Sequence, residues 1–212
     1  MAEFNYKAFY RILAGEVRTS TDFAQSLKTL LEWAEKADPH ASWVALRALD
    51  CSDEPKKVAG WLDRILKRAP CPFPVRGIYF GLGEHMTRTG IEYADLYVGF
   101  LSSYTPAGRT SSWLWRGPSH YPENAYLRSR SLKAAGVICN EDEQSGLGTS
   151  GHIVFSLGFA TLLLAAALDA RIYQRLGVDQ PVGIAVGFDS GDLIRLGELH
   201  SSGFRARRGA MT

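Results

Sequence analysis

Residues 153–168 read IVFSLGFATLLLAAAL, a nearly unbroken apolar run, and residues 169–176 continue it as DARIYQRL. Residues 182–188 (VGIAVGF) and 193–198 (LIRLGE) then alternate apolar with small or polar residues on either side of the turn-like sequence DSGD. A helix that is apolar on most faces must be covered by other elements, and a hairpin directly after it is the natural cover. The stretch therefore predicts a buried C-terminal helix packed against a sheet.

The apolar run is shorter than a membrane span. A transmembrane helix needs about 20 apolar residues, whereas this run has about 16, includes Ser156, Gly158 and Thr161, and is followed by Asp169 and Arg171. We therefore expect a core helix and no membrane association. The chain begins MAEFNYK, with an acidic residue at position three and no apolar segment, which is not the pattern of a signal peptide.

Composition places the chain among ordinary globular proteins. It has 212 residues, of which 46% are hydrophobic and 22% charged, so it can bury a sizeable core. A net charge of +2 is too small to indicate nucleic acid as a partner. Cys51, Cys71 and Cys139 lie far apart with no CxxC pair, so neither a zinc site nor a disulfide framework is indicated. We also expect no other metal and no cofactor. The odd number of cysteines fits a reducing compartment, and we expect a cytoplasmic protein.

The N-terminal third predicts amphipathic helices. Asp22 is a capping residue for one of them, and Pro39 ends it. A short helix is expected at residues 43–49, and a longer one begins near Pro55 and ends at Pro70. The apolar positions at helical spacing are Phe23, Leu27, Leu30, Leu31 and Ala34 in the first helix, and Val58, Trp61, Leu62, Ile65 and Leu66 in the last.

Strands are expected from Pro74 onward. Residues 75–82 (VRGIYFGL) and 91–104 (IEYADLYVGFLSSY) are rich in aromatic and β-branched residues, and residues 105–124 predict a long loop. The pattern of residues 126–138 fits either a helix or a strand. We therefore predict an α+β fold, with amphipathic helices in the N-terminal third and then a mainly antiparallel sheet packed on the buried C-terminal helix. Residues 1–204 would form a single domain and residues 205–212 a basic flexible tail.

The most informative candidates for function are aromatic. Residues 79–126 contain ten aromatic side chains. In an extended strand, Tyr93, Asp95 and Tyr97 point to one face, and the loop carries two further tryptophans beside an arginine. Tyrosine, tryptophan and arginine dominate protein interfaces, although an aromatic core with the loop folded over it would explain the same residues. The predicted binding residues are Tyr93, Tyr97, Trp113, Trp115, Arg116 and Tyr121.

Catalytic candidates are weaker, because the five histidines form neither an HExxH motif nor an i, i+4 pair. A His and carboxylate site would have to be assembled by the fold. Glu198 and His200 would lie on the same side of an extended strand. The candidate catalytic residues are His85, Asp95, His120 and His200, with Glu84 and Asp192 as further possible members of such a cluster.

Two functional classes follow from these residues. The first is a non-catalytic protein-binding module, of the inhibitor or immunity type, that uses an aromatic-rich sheet face and loop. The second is a small hydrolase-like or metal-assisted enzyme with a His and carboxylate site. The first is our principal expectation, because no motif supplies a nucleophile, a base or a metal site. The identity of the partner and the oligomeric state are not set by the sequence.

Overall fold

The computed structural model describes residues 4–20, 22–68, 70–106, 111–123, 125–140, 147–189 and 191–208. Helices cover one face of a seven-stranded sheet. The helices are α1 (Tyr6–Thr19), α2 (Phe23–Ala37), α3 (Ser42–Arg47), α4 (Glu54–Arg68), α5 (Arg130–Asn140), α6 (Gly148–Gly151), α7 (Phe159–Ala167) and α8 (Ala170–Leu176), with a 3-10 helix at Ser112–Trp115 and a π-helical stretch at His152–Gly158. The strands are β1 (Gly77–Met86), β2 (Glu92–Leu101), β3 (Ser119–His120), β4 (Tyr126–Leu127), β5 (Val182–Phe188), β6 (Leu193–His200) and β7 (Gly203–Ala206).

The sheet confirms the predicted α+β class. Its strand order is β3-β2-β1-β5-β6-β7, and β4 also pairs with β2. Among the described strands, β1 and β5 run parallel and the other neighbouring strands run antiparallel. Parallel neighbours need a long connection, and the chain from β2 to α8 provides it between β1 and β5.

The helices α2 and α4 begin and end close to the positions that the sequence indicates. The Asp22 carboxylate accepts a hydrogen bond from the Gln25 amide at 3.1 Å and caps α2. That helix ends at Ala37, one residue before the position that Pro39 biases away from helical angles. The longer helix α4 begins beside Pro55 and ends at Arg68.

The helix predicted over residues 153–176 is not continuous, which corrects the sequence interpretation. It is π-helical at its start, α-helical as α7, and bent by 82° where α8 begins. The Asp169 carboxylate causes the break, because it accepts hydrogen bonds from the Arg171 and Ile172 amides and so starts a new helix. Within the described ranges, no single helix reaches the length and apolarity of a membrane span; the two bent segments do so only together.

The C-terminal residues extend the sheet further than the sequence suggests. Arg205 and Ala206 belong to β7, and the Arg207 amide donates to the Leu196 carbonyl at 3.0 Å. The predicted boundary of the flexible tail at residue 205 is therefore wrong, because the free edge of β6 offers hydrogen-bonding groups that this segment satisfies. The rest of the predicted tail, residues 209–212, lies outside the described residues. Residues 126–138, undecided in the sequence, form β4 and then most of α5.

Candidate binding sites on the open sheet face

The sheet has a face that the helices do not cover, and we call it the open face. On β1, Ile78, Phe80 and Leu82 point to the helices and belong to the main core. The residues between them therefore point the other way. By strand register, the open face carries Gly77, Tyr79, Gly81, Gly83 and His85 from β1, Tyr93, Asp95, Tyr97, Gly99 and Leu101 from β2, and Gly183, Ala185 and Gly187 from β5.

Glycines on this face make room for tyrosine rings. A Cβ at Gly81 would overlap the Tyr97 ring, and one at Gly99 would lie 2.5 Å from the Tyr121 ring. The Tyr97 centroid is 6.1 Å from that of Tyr121 and 5.3 Å from that of Tyr126. A ring that packs directly on glycine backbone is already confined in the folded protein, so its side chain loses little further conformational entropy when a partner binds.

Hydrogen bonds fix the hydroxyl groups of two tyrosines on the open face. The Tyr97 hydroxyl donates to the Asp189 carboxylate, which lies in the turn after β5, and the Tyr79 hydroxyl donates to the Gly187 carbonyl at 3.1 Å. Burial, and then the Asp189 charge, raise the pKa of Tyr79 to about 12. Burial and the same carboxylate also raise the pKa of Tyr97 far above its ordinary value. Both phenols are therefore neutral donors at physiological pH.

The predicted binding residues fall into two groups. Tyr93 and Tyr97 are half-buried and Tyr121 is exposed, and together with the exposed Tyr126 they form a continuous surface that we call the aromatic face. Trp115 and Arg116, also exposed, lie at the 3-10 helix near the end of β2.

Trp113, predicted as a binding residue together with Trp115, lies in a different environment. It is 1% exposed, whereas Trp115 is 77% exposed. A Cβ at Gly77 would lie 2.5 Å from the Trp113 ring, so the indole fills the space that this glycine leaves open. Tyr104 packs edge-on against it at 5.0 Å. Trp113 is thus part of a packed cluster on the open face and has little exposed surface to offer a partner.

A basic groove borders the aromatic face. His85, Asp95, Arg128 and Lys133 line it beside Tyr126, and its volume is about 680 Å³. The Lys133 ammonium lies 5.4 Å from the centre of the Tyr93 ring. Asp95 is buried, and this burial raises its pKa despite the opposing effect of nearby cations.

The four catalytic candidates are not brought into one site. His85 and Asp95 lie together in the basic groove, whereas His120 is on β3 at one edge of the sheet and His200 is on β6, near the other edge. The His200 Nε2 lies 3.1 Å from the Glu198 carboxylate, as expected for two residues on one side of a strand. In the part of the chain that the structure describes, no group of three or more His, Cys, Asp or Glu side chains could hold a metal ion.

A cavity near the end of β5 contains Glu84 and Asp192, the two further residues suggested for a His and carboxylate cluster. Its volume is about 340 Å³ and its lining includes Glu84, Glu92, Asn140, His152 and Asp192. The Asn140 amide donates to the Glu92 carbonyl at 3.0 Å and lies 2.8 Å from the His152 Nε2. Burial lowers the pKa of His152, so this nitrogen accepts a hydrogen bond in a neutral ring. The arrangement ties α5 to the start of the π-helical stretch.

Another cavity, of about 360 Å³, lies on the open face over β6 and β7. Its charged and aromatic lining consists of Tyr104, Trp113, Arg195, Glu198, His200, Arg205, Arg207 and Arg208. We call it the arginine cavity. No sequence pattern marked Arg195 or Tyr104 as site residues, and Arg205, Arg207 and Arg208 fell in the predicted tail.

Comparison of the chain with protein-family models, with curated proteins and with solved structures gives no match.

Proposed function

We propose that the protein is a non-catalytic protein-binding module whose contact surface is the aromatic face together with Trp115 and Arg116. One observation carries the proposal: aromatic rings with exposed outer surfaces are fixed on a glycine-lined sheet instead of being buried in the core. An exposed aromatic surface is costly in water, and a cluster of such rings is typical of a protein interface. Because the rings are already fixed, binding would lose little side-chain entropy.

The charges around this surface favour an acidic partner. Arg116, Arg128, Arg130 and Lys133 are all exposed, and the last three line the basic groove. Opposite charge at the rim of an interface speeds association and selects the partner. The proposed partner is therefore a protein whose contact surface has an apolar centre and acidic side chains around it.

An inhibitor or immunity-type role in the cytoplasm fits this proposal. Such proteins act by covering a partner with a preformed surface, which requires no catalytic group. The hydrolase-like or metal-assisted alternative would instead depend on His85 and Asp95, the two candidate residues that lie together.

Affinity capture from the native cells tests the proposal. The tagged protein is compared with a Trp115→Ala, Tyr121→Ala double variant and with Val44→Ala, which truncates an exposed apolar side chain on α3. We expect wild type and Val44→Ala to retain one stoichiometric partner. With that partner purified, calorimetry should show the double variant binding at least tenfold more weakly, the loss typical of interface hot spots.

Two results would contradict the proposal. The first is unchanged affinity in the double variant, since the partner would then bind elsewhere. The second is unchanged affinity in Lys133→Glu, since an acidic partner should be repelled by that substitution. Hydrolase activity that His85→Ala abolishes would support the enzyme alternative.

A further inference from the structure

The arginine cavity concentrates positive charge. Among the lining residues that the structure describes, four are arginines, Arg195, Arg205, Arg207 and Arg208, and Glu198 is the one carboxylate. A partly enclosed cavity lined by one sign of charge focuses the field and attracts ions of the opposite sign. The excess charge indicates an anionic ligand.

Arg195 is the least typical of these side chains, because it is only 4% exposed. Its guanidinium donates to the Thr105 carbonyl at 3.2 Å. Burial, and then the charge of Arg207, lower the pKa of Arg195. Two guanidinium groups that repel each other within a cavity cost folding stability, and such arrangements are found preferentially at functional sites.

Glu198 belongs to a chain of interacting polar side chains within the lining. The Tyr104 hydroxyl donates to one oxygen of the Glu198 carboxylate at 2.8 Å, and the His200 Nε2 lies 3.1 Å from the other oxygen. Both oxygens are thus engaged by neighbouring side chains. These contacts hold the carboxylate in place, and the Tyr104 ring packs over Gly183.

We propose that the arginine cavity binds a small molecule that carries a phosphoryl dianion. A guanidinium group matches phosphate geometry with two parallel N–H donors, and a dianion gains more than a carboxylate from an excess of positive charge. The volume of about 360 Å³ falls within the range of small-molecule sites. None of the residues lining this cavity belongs to the aromatic face, so the inference stands independently of the protein-binding proposal.

Isothermal titration calorimetry of the full chain at low salt tests the proposed phosphoryl site. The three probes are inorganic phosphate, ribose 5-phosphate and unphosphorylated ribose. The principal variant is Arg205→Gln, whose side chain is exposed, and the matched control is Arg64→Gln, an exposed arginine on α4 outside the cavity. Arg195→Gln is a second variant, with its fold checked by circular dichroism.

We expect inorganic phosphate, ribose 5-phosphate or both to bind and ribose not to bind. Tighter binding of ribose 5-phosphate would identify a phosphomonoester ligand, and equal binding would identify phosphate itself. Arg205→Gln should weaken binding about tenfold, because one charge-assisted hydrogen bond is lost, whereas Arg64→Gln should leave it unchanged.

The proposal is overturned if neither phosphoryl probe binds, or if sulfate and chloride compete as well as phosphate does. It is also overturned if Arg205→Gln and a folded Arg195→Gln both bind as wild type does. Binding of long RNA without binding of either phosphoryl probe would show a nucleic-acid surface instead. Since Arg205 lies outside the aromatic face, retention of the protein partner by Arg205→Gln separates the two proposals.

Discussion

Arg195 and Glu198 point to the same face of β6 although they are three residues apart. In a regular strand, residues at an odd spacing point to opposite faces. Here Arg195 pairs with Ala185 and Glu198 with Gly183, both on the open face, because the register shifts between Ile184 and Ala185. Leu196 is the extra residue of this bulge and is buried. The bulge therefore builds the arginine cavity, in keeping with the frequent role of bulges in redirecting side chains at sites.

The Glu198 carboxylate should oppose the binding of an anion. We predict that Glu198→Gln binds inorganic phosphate several-fold more tightly, since one negative charge is removed from the wall of the cavity. The same variant should lower the pKa of Tyr104. Burial is the largest cause of its raised value and remains, but the hydrogen bond to Glu198 and the Glu198 charge also raise it. Calorimetry measures the first effect and ultraviolet titration of the tyrosines the second; weaker phosphate binding would contradict the first prediction.

The two tryptophans of the loop should differ sharply in their effect on stability. Trp113→Ala removes a buried indole and should lower the free energy of unfolding by about 3–5 kcal/mol. Trp115→Ala removes an exposed one and should change it by less than about 0.5 kcal/mol. Urea denaturation measures both. A loss for Trp115→Ala as large as that expected for Trp113→Ala would mean that Trp115 is packed in the core, and the proposed contact surface would lose that residue.

Helices were predictable from sequence because their signals are local. Asp22 and Pro39 act within one turn of the residues they affect, and the apolar spacing of α2 and α4 needs no knowledge of the rest of the chain. The arginine cavity was not predictable for the opposite reason. A register shift between β5 and β6 depends on the partner strand, and periodicity alone would have placed Arg195 and Glu198 on opposite faces.

Prediction of the aromatic face from the sequence has the same limit. The alternation of β2 was sufficient to place Tyr93 and Tyr97 on one side, but not to tell whether that side is covered. The deciding residues are glycines in the neighbouring strands, such as Gly81, which becomes adjacent to Tyr97 only through the pairing of β1 with β2. Burial of Trp113 depends likewise on Gly77, which is distant in sequence.

Gly81 and Gly15 offer a direct test of the glycine-lined surface. Gly81→Ala places a methyl group where the Tyr97 ring lies and should destabilise the protein by about 1–3 kcal/mol, as overpacking does. At Gly15, inside α1, no atom lies within 4 Å of an added Cβ, so Gly15→Ala should stabilise by about 1 kcal/mol through helix propensity. Urea denaturation gives both values. If Gly81→Ala is as stable as wild type, the ring does not rest on that glycine.

Asp95 should make stability depend on pH in the direction opposite to most carboxylates. Its pKa is raised by burial, so the folded protein holds the proton more strongly than the unfolded chain. Its favourable contribution is fully present below the ordinary aspartate pKa and is lost as the pH rises through the folded value. At neutral pH the ionised, buried carboxylate therefore destabilises the folded protein. Asp95→Asn can still accept a hydrogen bond from the Ser129 amide, and we expect it to be more stable than wild type. The gain in the free energy of unfolding should shrink as the pH falls through the raised folded value, and it should stop changing below the ordinary aspartate pKa. Urea denaturation from acidic to neutral pH measures it, and a variant that is less stable than wild type at neutral pH would show that the cations of the basic groove outweigh the burial.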